Sequence, residues 1–156
     1  HTPSSTLFPY TTLFRSIRQQ IVEALVTRMK TIAAVSNRVY LWKDPEDLDP
    51  KTDMPCIVVR DQRADVTTET LDGMNNHTIQ VSLDYWTTGA TAAAWSAAQN
   101  GIDAMLTAFN NDPTLGGLVL INRLTGHDVG VIRHGNIMAA GTIDLALTYV
   151  ASADTL

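Results

Sequence analysis

From Thr78 to Trp86 (TIQVSLDYW) and from Thr142 to Val150 (TIDLALTYV), apolar and polar residues alternate almost in step. Successive side chains on a strand point to opposite faces, so Ile79, Val81, Leu83 and Tyr85 form one apolar row and Ile143, Leu145, Leu147 and Tyr149 another. Both segments are predicted to be half-buried strands of one sheet. A different period runs through Ile17, Ile21, Leu25, Met29 and Ile32, with Arg18, Gln19, Glu23, Thr27 and Lys30 mostly on the other side. That spacing predicts an amphipathic helix of about five turns. A second helix is predicted from Ala92 to about Asn110, with Thr91 as its N-cap and Trp95, Ala98, Ile102, Met105, Leu106 and Phe109 facing inward. Ala92, Ala93, Ala94, Ala97 and Ala98 make its first half slim, which suits either close approach to a sheet or high helix propensity alone.

The intervening segments are shorter or more polar. Arg38-Val39-Tyr40-Leu41-Trp42 reads as a first strand, and the continuous apolar run after Pro55 (CIVVRD) as a second, buried near the middle of the sheet. Residues 44–55 (DPEDLDPKTDMP) carry three prolines and five acidic groups, which excludes a helix interior or central strand and predicts an exposed loop. The polar stretch from Gln62 to Asn76 reads as a long hairpin arm or a loop, with a turn signal at Asp72-Gly73. Leu118 to Ile121 and the glycine-punctuated segment ending at Met138 predict one or two further strands. The order α, β, β, β, α, β, β implies an α+β two-layer sandwich, a mainly antiparallel four- to five-stranded sheet with two helices packed on one face.

Thr6 to Ser16 (TLFPYTTLFRS) follows neither period and reads as the in-frame translation of a common sequencing adapter, so residues 1–16 are set apart as non-native and 17–156 are taken as one domain. Without Arg15 the balance is 10 basic residues against 16 acidic ones. Basic residues occur singly, which argues against gripping nucleic acid by its backbone. No apolar run approaches the roughly 20 residues that span a bilayer, so no membrane association is expected. The single cysteine, Cys56, lies in an apolar run and reads as a buried small hydrophobe.

Candidate chemistry is sparse. Neither a Gly-x-Ser-x-Gly elbow nor a phosphate-binding P-loop occurs, and Ser36, Ser82, Ser96 and Ser152 have no neighbouring histidine. Asp44, Asp47, Asp49 and Asp53 lack the glycine and distal glutamate of a calcium-binding EF-hand loop. A hairpin bringing His127-Asp128 beside His134 would make a small His-dependent or metal-dependent site, the one enzymatic alternative. Asp61 with Asp65, or Asp84 with Asp144, would be paired carboxylates if they faced each other across strands. The expectation is no catalytic residue, no cofactor and no metal.

Several segments in order carry a resemblance. They are the opening helix (IRQQIVEALVTRM), the Arg38-Val39-Tyr40 strand, the Met54-Pro55 start of an apolar strand (MPCIVVRD) and the His77-to-Tyr85 strand (HTIQVSLDY). After these come the helix from Ala92 to Phe109, the Leu115-Gly116-Gly117 turn and a closing strand ending Leu147-Thr148-Tyr149. Over residues 17–150 this series resembles the tail terminator, or tail completion, proteins of long-tailed bacteriophages, the family of lambda's minor tail protein U. The resemblance implies a structural virion protein, not an enzyme, that forms a homo-oligomeric, hexameric ring on the head-proximal end of the tail tube. Such a ring ends tube polymerisation and docks the head. Its partners would be the tail tube protein and a head-neck connector, with DNA passing through unbound. A neck or head-completion protein of the same virion is the alternative. Expected interface residues are Asp47 and Asp49 on the acidic loop, Asp65, Thr68 and Glu69 on the polar arm, and Gln80, Asp84 and Asp144 on the polar strand faces.

Overall fold

The computed structural model of the chain describes residues 15–69, 73–134 and 136–152. Residues 1–14 of the adapter-like segment and Asp72 of the expected turn therefore lie outside the described residues. Helix α1 (Ile17–Met29) opens at Ser16, whose hydroxyl accepts from the Gln19 N–H at 3.1 Å while the Gln19 side chain accepts from the Ser16 N–H at 3.2 Å. This reciprocal capping box satisfies two N–H groups that a helix start leaves without partners.

Five strands follow: β1 (Val39–Leu41), β2 (Cys56–Glu69), β3 (Met74–Thr88), β4 (Ile121–His134) and β5 (Asn136–Ser152), with helix α2 (Thr91–Asn110) between β3 and β4. They form one sheet in the order β1-β2-β3-β5-β4. All neighbours are antiparallel except β1 and β2, which run parallel. The fold is thus the expected α+β sandwich, with both helices on one face. α1 lies over β1 and β2, while α2 lies over β3, β4 and β5.

The two alternating segments sit side by side at the centre, with Ile79 opposite Leu147, Val81 opposite Leu145 and Leu83 opposite Ile143. These residues and Tyr149 are buried against Ile21, Leu25 and Met29 of α1 and Met105 and Phe109 of α2. His77 belongs to the same layer, stacked on Tyr149 with ring centroids 5.2 Å apart and its Nε2 3.2 Å from the Ala151 carbonyl oxygen.

α2 departs from expectation at its start and at Trp95. Its N-cap is Ala90, with no side-chain cap, so Thr91 is the first helical residue. Ala98, Ile102, Met105 and Phe109 are buried as expected and Leu106 half-buried, but Trp95 is 51% exposed, and Ala94, Gly101 and Ala108 complete the buried face. The reason is close approach. A Cβ on Gly101 would lie 2.3 Å from Tyr85 Cδ1, and one on Gly141 would lie 2.3 Å from the Ala98 carbonyl oxygen. The alanine-rich half therefore does serve close packing, and an indole has no room there.

The 44–55 loop also differs from a purely solvated segment. Parallel pairing of β1 with β2 requires a crossover, and this segment crosses the face away from the helices. There Leu48 is only 4% exposed and covers Cys56, Val58, Trp86, Met138 and Ala140 in a second, smaller apolar cluster. The loop is pinned by Asp53, which accepts the Asp49 N–H at 2.8 Å and the Tyr40 hydroxyl at 3.3 Å, with Lys43 3.7 Å away.

β2 extends through the expected polar arm to Glu69, and β3 begins at Met74, so Gln62–Asn76 is a hairpin. β4 and β5 form a second long hairpin. Among the described residues no strand pairs with the outer side of β4, and β1 covers β2 only from Ile57 to Val59.

Candidate functional site

Residues one step out of phase with the core rows stand on the face away from the helices, where they form a polar stripe beyond the Leu48 cluster. Arg60, Ser82, Asp84, Thr142 and Asp144 hold one another. Thr142 Oγ1 donates to Asp84 Oδ1 at 2.7 Å, and Arg60 Nη2 donates to Asp84 Oδ2. Ser82 Oγ donates to Asp144 Oδ1 at 2.7 Å and accepts from Gln62 Nε2 at 3.2 Å. Beside them lies a polar cavity of about 300 Å³ lined by Gln62, Gln80, Ser82, Thr125 and Asp144. Burial raises the Asp84 pKa above its ordinary value of 3.8, against the lowering effect of the Thr142 hydrogen bond and the Arg60 charge. A carboxylate so enclosed is part of the interior framework.

The expected interface residues fall on the crossover loop, on β2 and in the polar stripe. Asp47 and Asp49 are exposed on the crossover loop. Asp65 is exposed on β2, and Thr68 and Glu69 end that strand opposite Asn76 and Asn75. Gln80 and Asp144 are half-buried in the stripe, whereas Asp84 is 3% exposed, which corrects its expected place on the surface.

Neither carboxylate pair faces across strands. Asp84 is opposite Thr142, and Asp144 is opposite Ser82. Asp61 and Asp65 share one strand and are opposite Val81 and Thr78, on different faces. Asp61 accepts from Arg18 Nη2 at 2.8 Å and from the Trp42 indole N–H at 2.8 Å. Burial works against its ionisation, but these two donors hold its pKa below the ordinary value.

The histidine alternative does not assemble. His127 and His134 lie on the same strand, seven residues apart, which at about 3.3 Å per residue separates their backbones by roughly 23 Å. Asp128 is opposite Thr142 while His127 is opposite Ile143, so the two adjacent side chains point to different faces. Asp128 accepts its neighbour Val129's N–H at 2.8 Å. Among the described residues no group of three or more His, Cys, Asp or Glu is placed to hold a metal ion. Cys56 is buried, and desolvation pushes its thiol up to about 12, so it stays protonated at neutral pH. No described helix is long and apolar enough to cross a membrane.

Sequence reasoning missed Arg60, Thr142 and Trp42 as partners of the aspartates. The signal for Arg60 was its parity, since it continues the open-face row after Val58. The chain matches no protein-family model and no curated protein.

Proposed function

We propose that this chain is a structural virion subunit that closes into a ring on the head-proximal end of a phage tail tube. The ring ends tube growth and gives the head-neck connector a docking face. The observation that carries this reading is the build of the sheet. A helix, a short edge strand, a hairpin, a second helix and a second hairpin occur in the order on which the resemblance rests. Both hairpins are long for a chain of this size. Strands of 14 to 17 residues extend up to roughly 46–56 Å, whereas α1, with 13 residues, covers about 20 Å. The long strands thus offer surface for contacts with neighbours or with the tube. The acidic charge balance suits a channel through which DNA passes without sticking.

The test is to polymerise the tail tube protein of the same virus with and without this protein, and to image the products by electron microscopy. Shorter tubes with extra density at one end are expected. Tubes of unchanged length with bare ends would reject the terminator role, and binding to the connector alone would favour a neck protein.

A further inference from the structure

We infer that the outer edge of β4 in one copy adds, antiparallel, to the uncovered stretch of β2 from Asp61 to Glu69 in the next, so that the ring is a continuous head-to-tail sheet. This inference rests on the proposed ring for its closure. The contact itself is argued from the two edges.

The directions are complementary. β4 runs antiparallel to β5, β5 to β3 and β3 to β2, so β4 and β2 at opposite edges of one sheet run in opposite directions. A second copy placed edge to edge in the same orientation therefore brings β4 antiparallel to β2. The open stretch of β2 from Asp61 to Glu69 accommodates part of the 14-residue β4, since β1 pairs with β2 only as far as Val59. Apart from the Gln62 carbonyl, which accepts from Arg18 Nη2, backbone donors and acceptors on both edges lack strand partners among the described residues, and such edges are templates for pairing. Neither edge carries the lysines or prolines that ordinarily guard against it, although β4 contains an irregularity at Thr125 and β2 two, at Gln62-Arg63 and at Thr67.

The side chains agree. Leu124 is opposite core Leu145, and Val66 is opposite buried His77, so both stand on the helix side of the sheet at the two open edges. Yet Leu124 is 45% exposed and Val66 57%. Edge-to-edge addition would bring these apolar groups into one layer. Leu41 and Trp42, half exposed where β1 ends, border the same step. In the staggered register that sets Leu124 beside Val66, Arg123 on the other face falls beside Thr68, one row from the neighbour's Asp65. Because the two surfaces differ, the contact is heterologous and generates a ring or a filament, not a two-fold dimer.

Two single variants, Leu124→Cys and Val66→Cys, test this under mild oxidation, with Cys56 buried and unreactive. Mixed together they are expected to give a disulfide-linked heterodimer, with the mass on a non-reducing gel doubling from 17.0 kDa. The double variant is expected to give a ladder of multiples. Register is scanned by replacing Val66→Cys with Ala64→Cys. Homodimers of Leu124→Cys alone would indicate two-fold pairing and overturn the inference, as would absence of cross-linking in every combination. Circular dichroism of each reduced variant checks that it folds. Tube capping that persists without cross-linking would defeat only the edge pairing, whereas cross-linked rings that never cap tubes would defeat only the terminator role.

Discussion

Asp61 and Asp84 are two carboxylates on neighbouring strands that the fold pushes in opposite directions. Asp84 is opposed mainly by burial, so its folded pKa lies above the unfolded one. Its contribution to stability is complete below pH 3.8 and is lost as pH rises through the raised folded value. Asp61 is held down by Trp42 and Arg18 despite its burial, so its contribution is present above pH 3.8 and is lost as pH falls through the depressed value. Urea unfolding from pH 2 to 8 should therefore show that Asp61→Asn flattens the acid limb of the stability curve, while Asp84→Asn flattens the decline above pH 4. The apolar rows were legible in the sequence because strand parity alone assigns them. These pKa directions were not, because they depend on burial and on side chains from other elements, Arg18 and Trp42 at Asp61 and Thr142 and Arg60 at Asp84, that strand parity does not place.

At the level of elements, α2 sits so close to the sheet that single methyl groups decide its position. Ala in place of Gly in a helix interior ordinarily stabilises by about 1 kcal/mol. At Gly101 the added Cβ meets the Tyr85 ring, and at Gly141 an added Cβ meets the Ala98 carbonyl. Both Gly101→Ala and Gly141→Ala should instead destabilise, by about 1–3 kcal/mol as for other overpacked cores, read as a lower urea midpoint. An unchanged or raised midpoint for Gly101→Ala would contradict this close contact. The helix and most of its inward face are plain from periodicity, but the exposure of Trp95 is not, because hydrophobicity does not report the space available beside the sheet. The sequence leaves β2 beyond Asp61 open as hairpin arm or loop, and the region of β4 open as one strand or two, for a different reason. Their polar and glycine-containing ends are held by backbone ladders to β3 and β5, which side-chain periodicity does not report.

Across the whole molecule, β2, β3 and β5 contribute to both apolar clusters, the larger under the helices and the smaller under Leu48. Neither layer can dissolve without disturbing strands that the other needs. Buried Trp86 reports on the smaller cluster and helix circular dichroism on the larger layer. In a Trp42→Phe, Trp95→Phe background the two signals should give coincident urea transitions. Separate midpoints would show that the crossover loop and its cluster unfold independently. The arrangement of layers was legible from element order, whereas the parallel edge strand and the loop's covering role required the fold. The close seat of α2 also has a consequence for ancestry. Ala94, Ala98 and Gly101 on the helix and Ala139 and Gly141 on β5 are constrained by clearance alone. Homologues too diverged for overall alignment would still keep these five positions small, so the spacing can serve as a search pattern for distant kin.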